Sequence, residues 1–250
     1  MIGLGFRLGK RLKKIATEST PPQWSPLSLS PLIWCDATRL NLNNNDPVSQ
    51  FTDLSGNGNH FVQAATVNKP TFKASGINGL ASVESDGVDD GMTLSGIGAQ
   101  TAWTAFIVFK QTVADTGENT FWSIADYPSA SNYKMLEKAS GLDASAGLSM
   151  NANPSFGGSM SAFTAGITMG VLVHGNATTG TQLSSLGSTT TGAANHSRAD
   201  DLMRIFGRGD GNYAPAQIGE LVFVDRVLSS EEMATLWAYS AAKWGHDDPS

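Results

Sequence analysis

From Leu32 onward the chain is a succession of short apolar runs cut apart by clusters of Gly, Asn, Asp and Ser. That punctuation restricts the fold. The runs are too short for amphipathic helices and alternate with period two, while Gly and Asn accept the positive φ of tight turns and Asp and Ser cap exposed amides. The strongest run is Trp103–Lys110, where Trp103, Ala105, Ile107 and Phe109 alternate with Phe106 and Val108. Both of its faces are apolar, so it is expected at the centre of a sheet with layers on both sides. Met169–His174 has the same character. Strands are also predicted over Leu32–Cys35, Thr71–Lys73, Ala81–Glu84, Met92–Leu94, Asn119–Ala125, Tyr133–Glu137, Gly147–Met150, Thr181–Leu186, Leu202–Phe206 and Gln217–Val224. So many short strands with short turns predict an all-β, two-sheet sandwich or a barrel.

Composition agrees. Of 250 residues, only 15% are charged and 27 are glycine, which suits turns and argues against a helical bundle. Cys35 is the only cysteine, so the chain has neither an intrachain disulfide framework nor a cysteine-built zinc site. No apolar run reaches the ~18 residues of a membrane-spanning helix.

One helix is predicted, over residues 230–243. Ser229 stands three residues before Glu232, the pattern of a capping box, with Leu228 and Met233 placed for a hydrophobic staple. Met233, Leu236, Trp237, Ser240 and Trp244 share a face, and Gly245 suits the left-handed C-terminal position. This face is expected to pack on the edge of the sandwich.

Charge is segregated. The net charge is -6, yet residues 1–14 hold Arg7, Lys10, Arg11, Lys13 and Lys14 without an acid, leaving 11 basic against 22 acidic residues, or -11, on the remainder. Such an acidic body lacks the Lys/Arg surface that phosphate neutralisation needs, so a nucleic-acid role is not expected. Residues 1–16 form a basic, apolar arm. Ile2, Leu4, Phe6 and Leu8 alternate as in a strand, while Leu4, Leu8, Leu12 and Ile15 also fall at helical spacing. This apolar content points to docking on a partner through Ile2, Leu4, Phe6, Arg7, Leu8, Lys10, Arg11, Leu12 and Lys14; a solvated tail and a membrane-surface helix are the alternatives. Residues 17–31 carry Pro21, Pro22, Pro26 and Pro31 and read as an extended, semi-rigid linker. No uncharged run of signal-peptide type follows the basic residues.

Several stretches of the body, taken in order, resemble the concanavalin A-like (laminin G-like) jelly-roll family, in the compact branch found in bacterial and phage proteins. They are Trp34-Cys35-Asp36-Ala37, Phe51–His60 with its Asp53-Leu54-Ser55-Gly56-Asn57-Gly58-Asn59 turn, Val83–Asp90, Ala105–Lys110, and Ile218–Ser229 followed by the helix to Gly245. The resemblance spans about residues 32–245. It implies a two-sheet antiparallel jelly-roll sandwich over 32–250 with one C-terminal helix. Function follows less directly, because one fold hosts many functions.

Relatives of this fold include retaining glycoside hydrolases, which set two carboxylates ~5–5.5 Å apart across one bond. The Glu-x-Asp-x-x-Glu-like string that does so is absent: Glu84 and Asp86 are followed by Gly87, and Glu137, Glu220, Glu231 and Glu232 read as isolated or helical. The expectation at this level is a protein that is not an enzyme. Asp86, Asp89 and Asp90 are candidate calcium ligands, set against a plain turn held by side-chain–backbone bonds. Asp53, Asn57 and Asn59 read as turn chemistry, and Arg208-Gly209-Asp210 as a polar hairpin. Trp122, Tyr127, Tyr133 and Tyr213 are the aromatics available for a sugar platform, while Trp103 and Trp237 read as core. An arm and linker fused to such a body look like a phage virion accessory protein, made in the host cytoplasm and carried as a homo-oligomer on a tail, neck or capsid partner. A carbohydrate-binding adhesin for host-surface glycans is the alternative, and a diverged glycoside hydrolase the third reading.

Overall fold

A computed structural model describes residues 24–113, 118–124, 134–138, 148–152, 156–160, 166–176, 180–185, 188–192 and 202–246. Among them are sixteen strands: β1 (Ile33–Asp36), β2 (Gln50–Phe51), β3 (Phe61–Val62), β4 (Thr71–Ile77), β5 (Leu80–Glu84), β6 (Met92–Leu94), β7 (Ala102–Gln111), β8 (Asn119–Ile124), β9 (Lys134–Lys138), β10 (Leu148–Ala152), β11 (Phe156–Met160), β12 (Met169–Asn176), β13 (Gly180–Ser185), β14 (Ser188–Gly192), β15 (Met203–Ile205) and β16 (Ala216–Val224). One helix, α1 (Ser230–Trp244), follows. The strands make two antiparallel sheets. The first runs β14-β13-β12-β7-β16-β5-β4, with β1 also on β16; the second runs β11-β10-β9-β8-β15-β6-β3-β2. Sequence neighbours β7 and β8 lie in different sheets, as do β5 and β6, so the chain repeatedly crosses the sandwich. This is the expected jelly-roll arrangement.

The two faces of β7 do what their alternation requires. Trp103, Ala105, Ile107 and Phe109 point between the sheets. There Trp103 stacks on Phe223 with centroids 5.9 Å apart, and Phe109 meets Phe121 at 4.4 Å. Phe106 and Val108 point the other way, joining Leu172, Val222 and Val224 beneath Leu236, Trp237 and Trp244 of the helix. The helix therefore covers the outer face of the first sheet. Its start is fixed by the predicted capping box, with the Ser229 hydroxyl accepting from the Glu232 amide and the Glu232 carboxylate accepting from the Ser229 amide. Its end is closed by Gly245 at φ 70°.

β16 carries a bulge. Ile218 pairs with Phe109 and Glu220 with Val108, so Gly219 is the extra residue. Two consequences follow. The bulge breaks the alternation, turning Glu220 out of the sandwich toward the helix. It also sets the Trp244 indole against bare backbone: a Cβ on Gly219 would lie 2.6 Å from the ring.

The expected linker is corrected in its second half. Pro26–Leu29 form a 3-10 turn with Pro26 and Leu29 buried, because Leu29 joins the apolar layer under the helix. Residues 17–23 lie outside the described residues. No helix among the described residues is long and apolar enough to cross a membrane.

Candidate ligand-binding cleft

The helix packs on the first sheet and leaves the outer face of the second uncovered by it. There the strands alternate: Met92, Leu94, Met203 and Ile205 are buried in the sandwich, while Thr93 and Arg204 pair side by side on the outside. At their ends a cleft of about 260 Å³ opens, lined by Gln63, Asn68, Asp89, Arg204, Arg208 and Tyr213 among others.

Each wall is held from behind. The Tyr213 ring packs by its Cδ1 and Cε1 atoms on Gly91 and Gly207, where a Cβ would come within 3.2 and 2.8 Å of it, so a side chain at Gly207 would push the ring from its place. The Gln63 amide donates to the Gly91 carbonyl at 2.6 Å and the Asn68 amide to the Asp89 carbonyl at 3.0 Å. Arg208 is 8% exposed. Its guanidinium donates to both oxygens of Glu118 at 2.9 and 3.0 Å and to Asp210 at 2.7 Å. Burial works against that charge, but the two carboxylates outweigh it and raise the Arg208 pKa above its ordinary value. The Arg208-Gly209-Asp210 hairpin is thus closed on itself.

Asp89 links this cleft to the acidic turn. The carboxylates of Asp86, Asp89 and Asp90 lie within 4.8 Å of one another. Their number and type fit a hard cation, but they also do turn work. The Val88 amide donates to Asp86 at 2.8 Å, and the Asp86 amide to Asp90 at 3.1 Å. Burial pushes the Asp90 carboxyl up to about 6, with its acidic neighbours adding to the shift and the Asp86 amide opposing it.

Of the sequence candidates, Tyr213 and Asp89 meet in one cleft, and Asp86 and Asp90 stand beside Asp89. Trp122 is corrected. It is 2% exposed and packs on Trp103 at 5.8 Å, because its place in β8 points between the sheets, so it is no platform. Tyr127 and Tyr133 lie outside the described residues, as do all the arm positions from Ile2 to Lys14. Asp53 does the turn work expected, accepting from the amides of Trp34, Ser55 and Asn59.

Sequence reasoning missed Gln63, Asn68 and Arg204, and read Arg208 only as part of a hairpin; the pairing of distant loops brings the four together. It also misjudged Glu220 as isolated. Its carboxylate, 1% exposed, accepts from the Trp34 and Trp244 indoles at 2.7 and 2.6 Å, the Tyr239 hydroxyl at 3.0 Å and the Lys243 ammonium at 3.1 Å. Lys243 also donates to buried Asp36 at 2.7 Å. Burial, then the Glu220 charge, pushes the Tyr239 hydroxyl far above its usual range. Every acceptor direction of Glu220 is filled by the protein, so this cluster is a clasp for the helix.

No protein-family model matches the chain, and no curated protein matches it. Solved structures do match in fold. Trypanosoma rangeli sialidase aligns at TM-score 0.60 and 11% identity, over 86% of this chain and 33% of that one. Domain 4 of AbnA, a GH43 extracellular arabinanase from Geobacillus stearothermophilus solved with arabinotriose, aligns at 0.58 and 15% identity, over 78% of this chain and 99% of that one. A GH54 α-L-arabinofuranosidase aligns at 0.58 and 16%, over 76% of this chain and 50% of that one. The likeness is one of fold, the two-sheet antiparallel β-sandwich. This chain spans about a third of the sialidase's length. The expectation that separated the chain from enzymes is corrected by these neighbours, because its fold is one that glycoside hydrolases carry.

Proposed function

We propose that this chain is a carbohydrate-binding β-sandwich and that the cleft at Tyr213 takes the saccharide. The observation that carries this reading is the company Tyr213 keeps. A sugar ring presents an apolar C–H face and a rim of hydroxyls, so it needs a flat apolar wall and planar polar groups at the edge. Tyr213, backed by two glycines, supplies the wall. Gln63, Asn68, Asp89 and Arg204 line the same cleft. The arabinotriose bound to the arabinanase domain, whose whole length this chain matches in fold, supports a saccharide over other ligands.

Titration with arabinotriose and with sialic acid, followed by calorimetry, tests the proposal, with reducing-sugar release measured alongside. Binding that Tyr213→Ala removes is expected. Binding that this substitution leaves intact places the sugar elsewhere.

The virion setting is a separate proposal. It rests on the layout of arm and linker in the sequence, and neighbouring phage structural genes would support it. Incorporation into a particle that persists after deletion of residues 1–16 would count against it.

A further inference from the structure

On the far side of the molecule from the cleft at Tyr213, a groove of about 430 Å³ runs along α1, between Trp24 and the helix residues Thr235, Ala238, Tyr239, Ala242 and Lys243. Ala238 and Ala242 are exposed, and with Thr235 they leave the helix surface low and apolar over two turns. Trp24 rises on one side, tilted on Tyr239 with ring centroids 5.1 Å apart. The wall offers little to repel a cation, because the Lys243 ammonium is held by Asp36 at 2.7 Å and Glu220 at 3.1 Å. Glu231, exposed, stands one turn before Thr235 on the helix.

Trp24 is both a wall of this groove and the first described residue. The chain before it therefore starts at the groove's edge. Ahead of Trp24 lie seven linker residues and then the basic apolar arm. A seven-residue spacer reaches at most about 25 Å. The helix from Thr235 to Lys243 is only about 12 Å long, so the arm can lie anywhere along it. In the arm, Leu4, Leu8, Leu12 and Ile15 recur at three- and four-residue intervals, and Arg7, Lys10, Arg11 and Lys14 fall between them. An apolar row with cationic flanks matches a low apolar groove on a body of charge -11.

We infer that this groove is the seat of the chain's own N-terminal arm, which packs its leucine row on Thr235, Ala238 and Ala242 beside Trp24. Docking in cis covers apolar residues that would otherwise drive association. It also gives any partner that takes the arm a defined competitor. The inference is independent of the glycan-binding reading, which concerns the opposite sheet.

The test uses the full chain with a cysteine pair, Leu12→Cys and Ala242→Cys. Native Cys35 is fully buried, and its thiol is pushed up by burial and by Asp53 and Asp36, so it stays out of the exchange. A disulfide needs Cα atoms within about 7 Å. Under mild oxidation, an internally linked monomer is expected, read by mass spectrometry. Adding Leu4→Asp and Leu8→Asp should slow its formation at least tenfold, because the row no longer packs. Unchanged linking in that variant would mean the tether alone brings the cysteines together and would overturn the inference. So would covalent dimers in place of linked monomers, which give the groove to another copy's arm, or no linking at all.

Discussion

The indole N–H of Trp34 on β1 donates to the carboxylate of Glu220 on β16 at 2.7 Å, across 186 residues of sequence. This bond belongs to a buried set in which Glu220 also gathers Tyr239, Lys243 and Trp244 from the helix. Removing the carboxylate leaves two indole N–H groups and a hydroxyl without their acceptor and weakens the hold on Lys243. Breaking a buried, hydrogen-bonded charge in this way costs about 3–5 kcal/mol. Glu220→Ala is expected to lose that amount in urea unfolding. A loss under ~1 kcal/mol would show that the helix is held by its apolar face alone.

Gly219 makes that geometry available. A methyl group there would sit 2.6 Å from the Trp244 ring, and at Gly170 it would sit 2.7 Å from both Trp237 and His246. Neither ring can retreat, since Trp244 is fully buried and Trp237 is 5% exposed. Gly219→Ala and Gly170→Ala are each expected to destabilise by about 1–3 kcal/mol through overpacking. Near-UV circular dichroism of the tryptophans should change in both variants while far-UV strand content is retained.

Asp90 makes stability pH-dependent in an unusual direction. Its folded-state pKa is raised from 3.8 to about 6, so the folded chain holds this proton more tightly than the unfolded one. Its stabilising contribution is complete below pH 3.8 and is lost as pH rises through 6. Glu232 works in reverse. Its hydrogen bonds from Arg226, then the Ser229 amide, lower it from 4.5 to about 2. Its contribution is present above 4.5 and lost as pH falls toward 2. Urea midpoints should therefore decline from pH 4 to pH 7, and Asp90→Asn should flatten that decline. A midpoint that rises over this range in the parent protein would contradict the buried, protonated Asp90. Calcium added at pH 7 reads the other use of the turn: a bound ion raises the midpoint, and Asp86→Asn removes the rise.

The helix start gives a smaller, local effect. Ser229→Ala removes the side-chain acceptor of the Glu232 amide and is expected to cost about 1 kcal/mol. Hydrogen exchange should quicken in the first turn of the helix and nowhere in the sheets.

How much of this was legible in the sequence depends on range. Local signals carried well. The two-sided alternation of Trp103–Lys110 predicted a central strand, and the Ser229/Glu232 pair predicted the helix start. Strands with little apolar content, such as Ser188–Gly192, gave no periodic signal, since backbone pairing alone defines them. Trp122 was misplaced for a related reason: it lies inside a predicted strand, but the sequence does not say which face of the strand it takes, and the register of β8, shifted between Thr120 and Trp122, turns it inward. Gln63, Asn68 and Arg204 converge through pairings between separate strands and loops. Glu220 escaped because one bulge reverses the face that simple alternation assigns it.

Arabinotriose titration monitored by tyrosine and tryptophan fluorescence, on the parent protein and on Tyr213→Ala, decides whether the cleft at Tyr213 holds a saccharide. Saturable binding by the parent is expected, with a loss of about 1.4–2.8 kcal/mol, or roughly ten- to a hundredfold in Kd, in the variant. Equal affinity in the two proteins, with the fold of each intact, would contradict binding in that cleft.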